Sequence, residues 1–305
     1  MKLFIISVAS FVFLAIIALS ISDFKNRSPI LVTAKAPLVL GQTSFEPTPI
    51  PLLPVLAEST TYPEFSAESV LAEDVLTGTT LYEKDSNRPV LPASTTKIIT
   101  ALISLDYFPL GTVLTVGNIA VDGQKMNLVV GEQLTVEDLL YGLLVYSAND
   151  AAEVLADNYP GGREAFVHAM NLKAESIGME NSFFTNPSGL DDGNITTTAA
   201  DLTKAAVYAM KNPVFSRIVG TKKITVISID GQHRHNLANI NELLGVVDGV
   251  VGIKTGWTEN AKENLVTDVE RGEKEVVITL LGSQDRFGET EQLIDWVFAN
   301  YRWTN

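Results

Sequence analysis

Three short groups of polar residues follow one another along the chain and could together carry out nucleophilic chemistry. Ser94-Thr95-Thr96-Lys97 stands at the start of a predicted helix, Ser147-Ala148-Asn149 stands between two predicted helices, and Lys254-Thr255-Gly256 ends a predicted strand. Their spacings are S-x-x-K, S-x-N and K-T-G. Serine, lysine and asparagine at these spacings indicate acyl transfer to a serine that a nearby lysine activates.

The first group can supply a nucleophile and its base. A serine hydroxyl reacts slowly unless a base lies within hydrogen-bonding distance. Residues three apart share one face of a helix, so Lys97 can reach Ser94. Burial and nearby cations both favour a neutral lysine, and we therefore expect Lys97, with Lys254 close by, to be largely neutral at working pH. The backbone N–H of Ser94, at a helix start, could also stabilise an oxyanion.

The third group can bind an anionic substrate. Lys254 stands on a strand that could line the other side of a cleft, where its charge would attract an anion. Gly256 has no side chain and therefore permits a close approach of the substrate backbone. We expect this strand to form the binding edge of the site.

The order of the three groups is more informative than any one of them. S-x-x-K alone is a weak signal, and Ser22-Asp23-Phe24-Lys25 is a second match in a segment where it cannot be catalytic. A purely structural interpretation would make Ser94 an N-cap and Lys254 a charge that keeps a strand edge soluble. Three groups in order, each in a suitable structural context, favour the catalytic interpretation.

The elements around these groups predict an α/β fold. Strand-like segments occur towards both ends of the chain, and a block of helices lies between them. This order favours one antiparallel sheet flanked by helices, with a mostly helical second lobe. Strands are predicted at 69–75, 79–85, 222–229, 250–255, 263–270 and 274–282, and a turn at Thr77-Gly78 joins the first two as a hairpin. Helices are predicted at 96–105, 134–147, 150–158, 162–177, 199–211 and 288–301. Thr135 is the predicted N-cap of the second helix.

The composition excludes several classes of protein. The chain has 305 residues, with 22 Lys and Arg against 36 Asp and Glu, and its net charge of −14 argues against a nucleic-acid partner. Hydrophobic residues make up 46%, which argues against a disordered chain. There is no cysteine, so disulfides, thiol catalysis and cysteine-bound metals are excluded. Nothing in the sequence indicates an organic cofactor or a metal site.

The N-terminal part of the chain is typical of an exported protein. Met1-Lys2 precedes an apolar run from Leu3 to Ile21, which is long enough for about one membrane span. Seven of the 13 prolines lie between Pro29 and Pro63, and such a density favours extended chain, either as a spacer or as a proline-rich docking ligand. The predicted divisions are an export signal or uncleaved membrane anchor at 1–22, a tether at 23–65 and a catalytic domain at 66–305.

With these motifs the sequence resembles the serine D-alanyl-D-alanine carboxypeptidases, the low-molecular-mass penicillin-binding proteins of peptidase family S11. The resemblance runs from about Ser69 to Phe298. It is carried by LPASTTKIITAL (91–102), LTVEDLLYGLLVYSANDAAEVLA (134–156), MNLKAESIGMENSFFTNPSGLDD (170–192), DGVVGIKTGWT (248–258) and VVITLLGS (276–283). It implies the α/β fold of the β-lactamases and penicillin-binding proteins.

The resemblance implies a role for each matching residue. Ser94 would be the acylated nucleophile and Lys97 its general base, while Ser147 and Asn149 would complete the proton relay and contact the substrate amide. The substrate-binding residues follow from the third motif and the start of the last helix: Lys254 and Thr255 would hold the terminal carboxylate, the N–H of Trp257 would join that of Ser94 in the oxyanion hole, and Arg286 would be the arginine with which family members bind the carboxylate.

The function that the resemblance implies is removal of the terminal D-alanine from peptidoglycan stem peptides that end in D-Ala-D-Ala. β-Lactam antibiotics would be covalent inhibitors, and the enzyme would work on the extracytoplasmic face of the bacterial cell membrane. The sequence departs from the family where Lys262-Glu263 follows Ala261 in place of the usual Ala-Gly pair. Many members continue into a C-terminal β domain with an amphipathic membrane helix; here we expect the N-terminal hydrophobic segment to supply the attachment.

Two other functions remain open from the sequence alone. A β-lactamase shares the three motifs, but no E-x-x-L-N segment that could supply a deacylating glutamate lies between Ser147 and Lys254. An inactive cell-wall-binding module would be expected to have lost a motif residue, and none is lost. His233 and His235 could share one side of a strand, but without a third ligand they are expected, like His168, to be surface residues.

Overall fold

Five antiparallel strands from both ends of the catalytic domain form its central sheet. The computed structural model describes residues 52–58 and 60–304. The strands are β2 (Ser69–Asp74), β3 (Thr80–Lys84), β8 (Val250–Thr258), β9 (Lys262–Arg271) and β10 (Lys274–Ser283). Their order across the sheet is β3-β2-β10-β9-β8, so the predicted hairpin of β2 and β3 lies beside β10.

A block of helices between the two halves of the sheet forms the second lobe, as predicted. Its first helix packs against the second, fourth and fifth. The helices of this lobe are α1 (Lys97–Tyr107), α2 (Val136–Leu144), α3 (Asn149–Asp157), α4 (Gly162–Ser176), α5 (Ala199–Met210) and α6 (Pro213–Val219), and α7 (Arg286–Asn300) follows the last strand of the sheet. Three two-stranded ribbons complete the described elements: β1 (Leu53–Leu56) with β11 (Tyr301–Thr304), β4 (Val113–Thr115) with β5 (Gln133–Thr135), and β6 (Lys223–Ile227) with β7 (Arg234–Ala238).

The central sheet is covered on both faces, and the middle residues of β9 and β10 are buried on both sides of the strand. Side chains alternate between the two faces of a strand. On β9, Val266 belongs to the core beneath the helical lobe, whereas Leu265 and Val269 pack with α7. On the helical side the hydroxyls of Thr203 and Thr279 join α5 to β10 at 2.8 Å. The site is therefore built on a sheet that both layers hold in place.

Local signals determine where the helices near the site begin. The hydroxyl of Thr135 accepts from the N–H of Asp138, and the Asp138 carboxylate accepts from the N–H of Thr135. This capping box confirms the predicted N-cap of α2. Helix α6 was not predicted, although Asn212 caps it by accepting from the N–H of Val214 at 2.9 Å and Pro213 opens it. Its seven residues are too few to show a helical period.

The C-terminal boundary of the predicted tether is wrong. Residues 53–56 form β1, which pairs antiparallel with β11. Further along, the indole N–H of Trp296 donates to the carbonyl of Thr61 at 2.7 Å, and the ring of Tyr62 lies 5.1 Å from that of Trp296. Proline concealed the strand, because Pro54 is tolerated only in an edge strand of this kind. Residues 52–58 and 60–65 therefore belong to the folded domain.

One predicted strand belongs to the other lobe. The segment predicted as a strand at 222–229 forms β6, but it pairs with β7 in a separate ribbon and not with the central sheet. Its neighbour β7 was not predicted, because the sequence RHNLA shows no clear apolar alternation. Local pattern thus indicated a strand but not its partner.

The predicted signal or anchor at 1–22 and the tether before residue 52 lie outside the described residues. Within 52–58 and 60–304, no helix combines the length and the apolar character needed to cross a membrane.

Candidate active site

The three sequence motifs meet at one cleft between the central sheet and the helical lobe. Ser94 lies in the 3-10 helical turn that leads into α1, Ser147 lies between α2 and α3, and Thr255 lies on β8. All three line a cavity of about 710 Å³. The fold thus brings together residues that are separated by as many as 161 positions in the sequence.

Lys97 lies one helical turn after Ser94 and is fully buried. Its Nζ is 2.8 Å from the Oγ of Ser94, 2.6 Å from the Oδ1 of Asn149 and 2.7 Å from the carbonyl oxygen of Ser188. The last two oxygens can only accept hydrogen bonds. A neutral amine has two N–H groups and one lone pair, so the N–H groups donate to Asn149 and Ser188 while the lone pair faces the Ser94 hydroxyl. The geometry therefore fits an amine that can accept the serine proton.

Contacts on the far side of Asn149 set the orientation of its amide. The Nδ2 of Asn149 donates to the carbonyl of Asp122 at 2.6 Å, and because a carbonyl only accepts, Oδ1 is the atom that faces Lys97. The backbone N–H of Asn149 donates to the carbonyl of Gln124 at 2.7 Å. Between these two carbonyls, Gly123 has a φ of +79°, and a Cβ there would lie 2.8 Å from the Nδ2 of Asn149. Glycine is therefore needed for this close approach.

Burial makes the neutral form of Lys97 accessible near neutral pH. Loss of solvation lowers the pKa of Lys97 to about 7, although the charges of Glu153 and Asp150 partly oppose this. The pKa of Lys254 is lowered well below its ordinary value by burial first and then by the charges of Lys97 and Arg286. Because repulsion between two buried lysines acts on both, the cleft favours neutral amines. The pKa of Lys97 is thus lowered in the expected direction, with burial as the cause.

Ser147 and Lys254 form a second hydrogen-bonded pair in the cleft. The Nζ of Lys254 is 2.9 Å from the Oγ of Ser147 and 2.8 Å from the carbonyl oxygen of Thr255. Ser147 has a φ of +61°, a conformation that costs a non-glycine residue about 1 kcal/mol or more and is common at functional sites. Lys254 is only 1% exposed and is not among the residues that line the cavity, so its amine lies behind Ser147. Its contact with a substrate carboxylate stays a prediction.

Two polar atoms at the cleft have no hydrogen-bond partner within the described part of the chain. They are the Oγ1 of Thr255 and the Nε of Arg286. Arg286 is held by donation from Nη1 to the carbonyl of Gly256 at 3.1 Å, and its backbone N–H donates to Glu263 at 2.9 Å. Burial lowers the pKa of Arg286, opposed by the charges of Glu263 and Glu242, yet arginine stays charged in proteins. An unpartnered hydroxyl and a charged guanidinium that line one cavity suit an anionic ligand such as a carboxylate.

Gly256 allows β8 to lie directly against the turn that carries Ser94. A Cβ at Gly256 would be 3.1 Å from the carbonyl oxygen of Pro92 and 3.2 Å from the backbone nitrogens of Ser94 and Thr95. The sequence predicted a close approach here, but the neighbour is the protein's own turn. Beside it, Trp257 is 62% exposed at the rim of the cleft, and the role of its N–H in an oxyanion hole stays a prediction.

Sequence reasoning missed the turn that supplies the Ser188 carbonyl. The Oδ1 of Asn186 accepts from the hydroxyl of Ser188 at 3.0 Å and from the N–H of Gly189 at 2.7 Å. Gly189 has a φ of +84°, and a Cβ there would lie 1.8 Å from the carbonyl oxygen of Ala93. The turn therefore needs glycine, and it presents the Ser188 carbonyl to Lys97. Asn-Pro-Ser-Gly is a typical turn sequence, but it does not reveal what the turn faces.

His235 is not a surface residue, contrary to the expectation from its sequence context. Its side chain is 8% exposed. Its Nδ1 is 3.1 Å from the carbonyl oxygen of Met126, and its Nε2 is 2.6 Å from the Oε1 of Glu132. These partners lie more than 100 positions earlier in the chain, so no local pattern could have indicated the burial.

An α/β fold in which a buried lysine is hydrogen-bonded to a serine at the start of a helix is typical of enzymes that form an acyl-serine intermediate. Comparison with known proteins agrees with this class. The chain belongs to the family of D-alanyl-D-alanine carboxypeptidases (Peptidase_S11), whose family model matches residues 56–285. The family expected from the motifs is therefore confirmed.

The similarity extends over most of the chain. D-alanyl-D-alanine carboxypeptidase DacB2 of Mycobacterium tuberculosis is 34% identical, covering 80% of this chain and 86% of the relative. A D-alanyl-D-alanine endopeptidase of Pseudomonas aeruginosa is also 34% identical, covering 90% and 89%. DacF of Bacillus subtilis is 29% identical over 77% of this chain, which spans 63% of that longer relative. The solved Streptomyces K15 DD-transpeptidase is 34% identical, covers 79% of this chain and 100% of its own, and superposes with a TM-score of 0.74, which confirms the predicted fold class.

Proposed function

We propose that this protein is a serine-type D-alanyl-D-alanine carboxypeptidase of the bacterial cell envelope. Its substrates would be peptidoglycan stem peptides that end in D-Ala-D-Ala, and β-lactam antibiotics would acylate the same serine. The proposal rests on the arrangement around Lys97, in which acceptor oxygens engage both N–H groups of the neutral amine and leave its lone pair facing the Oγ of Ser94. Membership of the family supports the substrate class.

Acylation would begin when Lys97 removes the hydroxyl proton of Ser94. As the O–H bond breaks, Oγ bonds to the carbonyl carbon of the penultimate D-alanine, and the carbonyl oxygen becomes an oxyanion that the N–H groups of Ser94 and Trp257 stabilise. The peptide C–N bond then breaks and D-alanine leaves as its nitrogen takes up a proton. Ser147, 2.9 Å from the Nζ of Lys254, is the proposed route for that proton.

Deacylation would use the same groups in reverse. A water molecule gives a proton to neutral Lys97 as its oxygen bonds to the acyl carbon, and Ser94 recovers a proton as the ester bond breaks. Asn149, which lines the cleft, would hold the lysine throughout and contact the substrate amide. The acyl-enzyme would persist when a bound β-lactam fragment blocks the approach of water.

Thr255 and Arg286 are the proposed ligands of the terminal carboxylate. Both have a polar atom without a partner in the described residues, and Arg286 carries the charge that an anion needs. Lys254 would act behind them by holding Ser147. An enzyme that depends on this carboxylate cuts only at a chain end. Because one relative is named an endopeptidase, cleavage within cross-linked peptides is the second candidate activity.

Membrane attachment is also part of the proposal. The apolar run from Leu3 to Ile21 supports export, and as an uncleaved anchor it would keep the enzyme on the outer face of the cell membrane. The proline-rich stretch before β1 would then act as the spacer. The spacer would hold the cleft away from the bilayer and near the cell wall.

Covalent labelling tests the proposed function. We would incubate the protein with penicillin, measure its intact mass, and follow D-alanine release from an acylated D-Ala-D-Ala peptide in parallel. We expect one long-lived adduct on Ser94 and release of D-alanine. Ser94→Ala should lose both, whereas Ser104→Ala, which removes another buried hydroxyl from α1, should keep both.

Other outcomes would identify the rival functions. Rapid hydrolysis of penicillin without a lasting adduct would favour a β-lactamase. Neither an adduct nor D-alanine release from folded protein would favour an inactive wall-binding module. Labelling that persists in Ser94→Ala would refute the assignment of the nucleophile.

A further inference from the structure

We propose that His235, held by Glu132, is a positioning residue for the acylation step, although it lies on the β6–β7 ribbon. It holds residues 122–128, a segment whose carbonyl groups orient the amide of Asn149. The inference rests on the proposed function, because it concerns how well Lys97 can act as a base.

The contact between this segment and Asn149 bears directly on the chemistry. The carbonyls of Asp122 and Gln124 accept from the side chain and the backbone of Asn149 at 2.6 and 2.7 Å. Without the Asp122 carbonyl, the amide could turn over and present its N–H groups to Lys97. Those N–H groups would compete with the Ser94 hydroxyl for the lysine lone pair, and the lysine would lose an acceptor that holds it in place. A stationary segment therefore keeps the base aimed at the nucleophile.

Side chains, not regular structure, hold the 122–128 segment. The segment is neither helix nor strand. Asp150 accepts from the N–H of Met126 at 3.0 Å and from the N–H of Leu128 at 3.1 Å. At the carbonyl of the same residue, His235 lies 3.1 Å from the Met126 oxygen through its Nδ1. Met126 is thus fixed by Asp150 at its N–H and by His235 at its carbonyl.

Glu132 holds the ring of His235 and also the backbone of Val129, which directly follows the 122–128 segment. One carboxylate oxygen is 2.6 Å from the Nε2 of His235, and the other accepts from the N–H of Val129 at 3.0 Å. Because the Met126 carbonyl only accepts, Nδ1 is the ring atom that donates to it. Glu132 is 4% exposed, so water competes little for this pair.

His235 gives a sharper test than Asp150. The charge of Asp150 itself raises the pKa of Lys97, so replacing it would change the base electrostatically as well as release the segment. Substitutions at His235 leave in place Glu153 and Asp150, the charged groups that raise the pKa of Lys97. Any change in the lysine would then come through the position of the segment.

Two substitutions separate the contacts of His235. His235→Asn can place its amide nitrogen near the position of Nδ1 and keep the bond to Met126, whereas His235→Gln reaches the position of Nε2 and keeps only Glu132. We expect penicillin to acylate His235→Gln about 5- to 10-fold more slowly than the wild type, the effect of about one hydrogen bond. The KM for a D-Ala-D-Ala peptide should change little. The pH midpoint of acylation should fall, because N–H groups facing Lys97 disfavour its charged form. His235→Asn should stay close to wild type, and His233→Gln on the same ribbon is the control.

A second variant tests the same contact from the other side. In Gly123→Ala the new Cβ would lie 2.8 Å from the Nδ2 of Asn149 and push the segment away, so the slower acylation and lower midpoint should recur. If His235→Gln does not fold, Gly123→Ala tests whether the position of the 122–128 segment controls acylation. Wild-type rates and midpoint in either folded variant would overturn the inference. The inference would also be overturned if His235→Asn and His235→Gln lost the same amount of acylation rate, in proportion to their loss of Tm, while the pH midpoint of acylation stayed unchanged. If the wild-type enzyme is not acylated at all, the proposed function fails, and this inference with it.

Discussion

Acylation of Ser94 should depend on pH through the ionisation of Lys97. The amine can take the serine proton only in its neutral form, because the charged form has no lone pair. Burial lowers the pKa of Lys97 to about 7, far from the ordinary value for a lysine. This lowering corresponds to about 5 kcal/mol of lost preference for the charged form, so the profile should separate a buried base from an exposed one.

The expected magnitude follows from that pKa. The neutral fraction of Lys97 would be about 1% at pH 5, about half at pH 7 and about 90% at pH 8. The second-order rate constant for acylation should therefore rise about tenfold per pH unit below 7 and level off above 8. A lysine with its ordinary pKa would give a rate that still rises tenfold per unit at pH 9.

Rapid-quench labelling with penicillin and intact-mass detection would measure this profile, with folding checked by circular dichroism at each pH. Glu153→Gln supplies a directed perturbation, because the Glu153 charge opposes the effect of burial, and its removal should move the midpoint to lower pH. A profile that is flat between pH 5 and 9, or a midpoint above 9, would show that Lys97 is not the base. A midpoint that does not move in Glu153→Gln would contradict the electrostatic account of its pKa.

Three further predictions concern the base, the carboxylate and the domain boundary. Lys97→Arg should fold but leave Ser94 unlabelled, since a guanidinium does not lose its proton in proteins; labelling at more than a few per cent of the wild-type rate would place the base elsewhere. Amidation of the D-Ala-D-Ala carboxylate should slow cleavage about 10- to 100-fold, the range for one charge-assisted hydrogen bond, and Arg286→Gln should abolish most of that difference; equal rates on free and amidated peptides would favour endopeptidase action. A chain that begins at Leu52 should have a Tm about 2–8 °C above that of a chain that begins at Thr60, because the shorter chain lacks β1 and with it about 1–2 kcal/mol of stability. Both chains should be active. Equal Tm values would mean that β1 contributes nothing to stability.

The fold was predictable to the extent that its elements have a period that a local pattern can show. The capping box at Thr135 and the amphipathic helix behind it are local features, and so are the apolar strands around Lys254. The elements that the sequence did not indicate lack such a period: the seven-residue α6, the polar strand β7, the proline-containing β1 and the short strands β4, β5 and β11. β1 is stabilised by β11, a partner distant in the sequence, whereas β7 pairs with its neighbour β6.

For the site, the sequence alone named the candidate residues that the fold brings to one cleft. A serine and a lysine three positions apart on a helix must lie on one face. The S-x-N motif named Ser147, and the resemblance to the family named Arg286. These residues could be named because the chemistry depends on residue type and the spacing within each motif is short. Neither depends on how the chain returns to the site.

Only the tertiary structure decided how those groups are held and charged. Lys97 is bonded to Asn149 and to the carbonyl of Ser188, which lie 52 and 91 positions further along the chain, and its pKa of about 7 follows from burial that the whole domain creates. The same holds for the buried contact between His235 and Glu132, 103 positions apart. A hydrogen bond to a backbone carbonyl carries no signature in the residue that supplies it, and solvation depends on every element packed around a group. Neither can be read from a local pattern, because both are properties of the assembled fold.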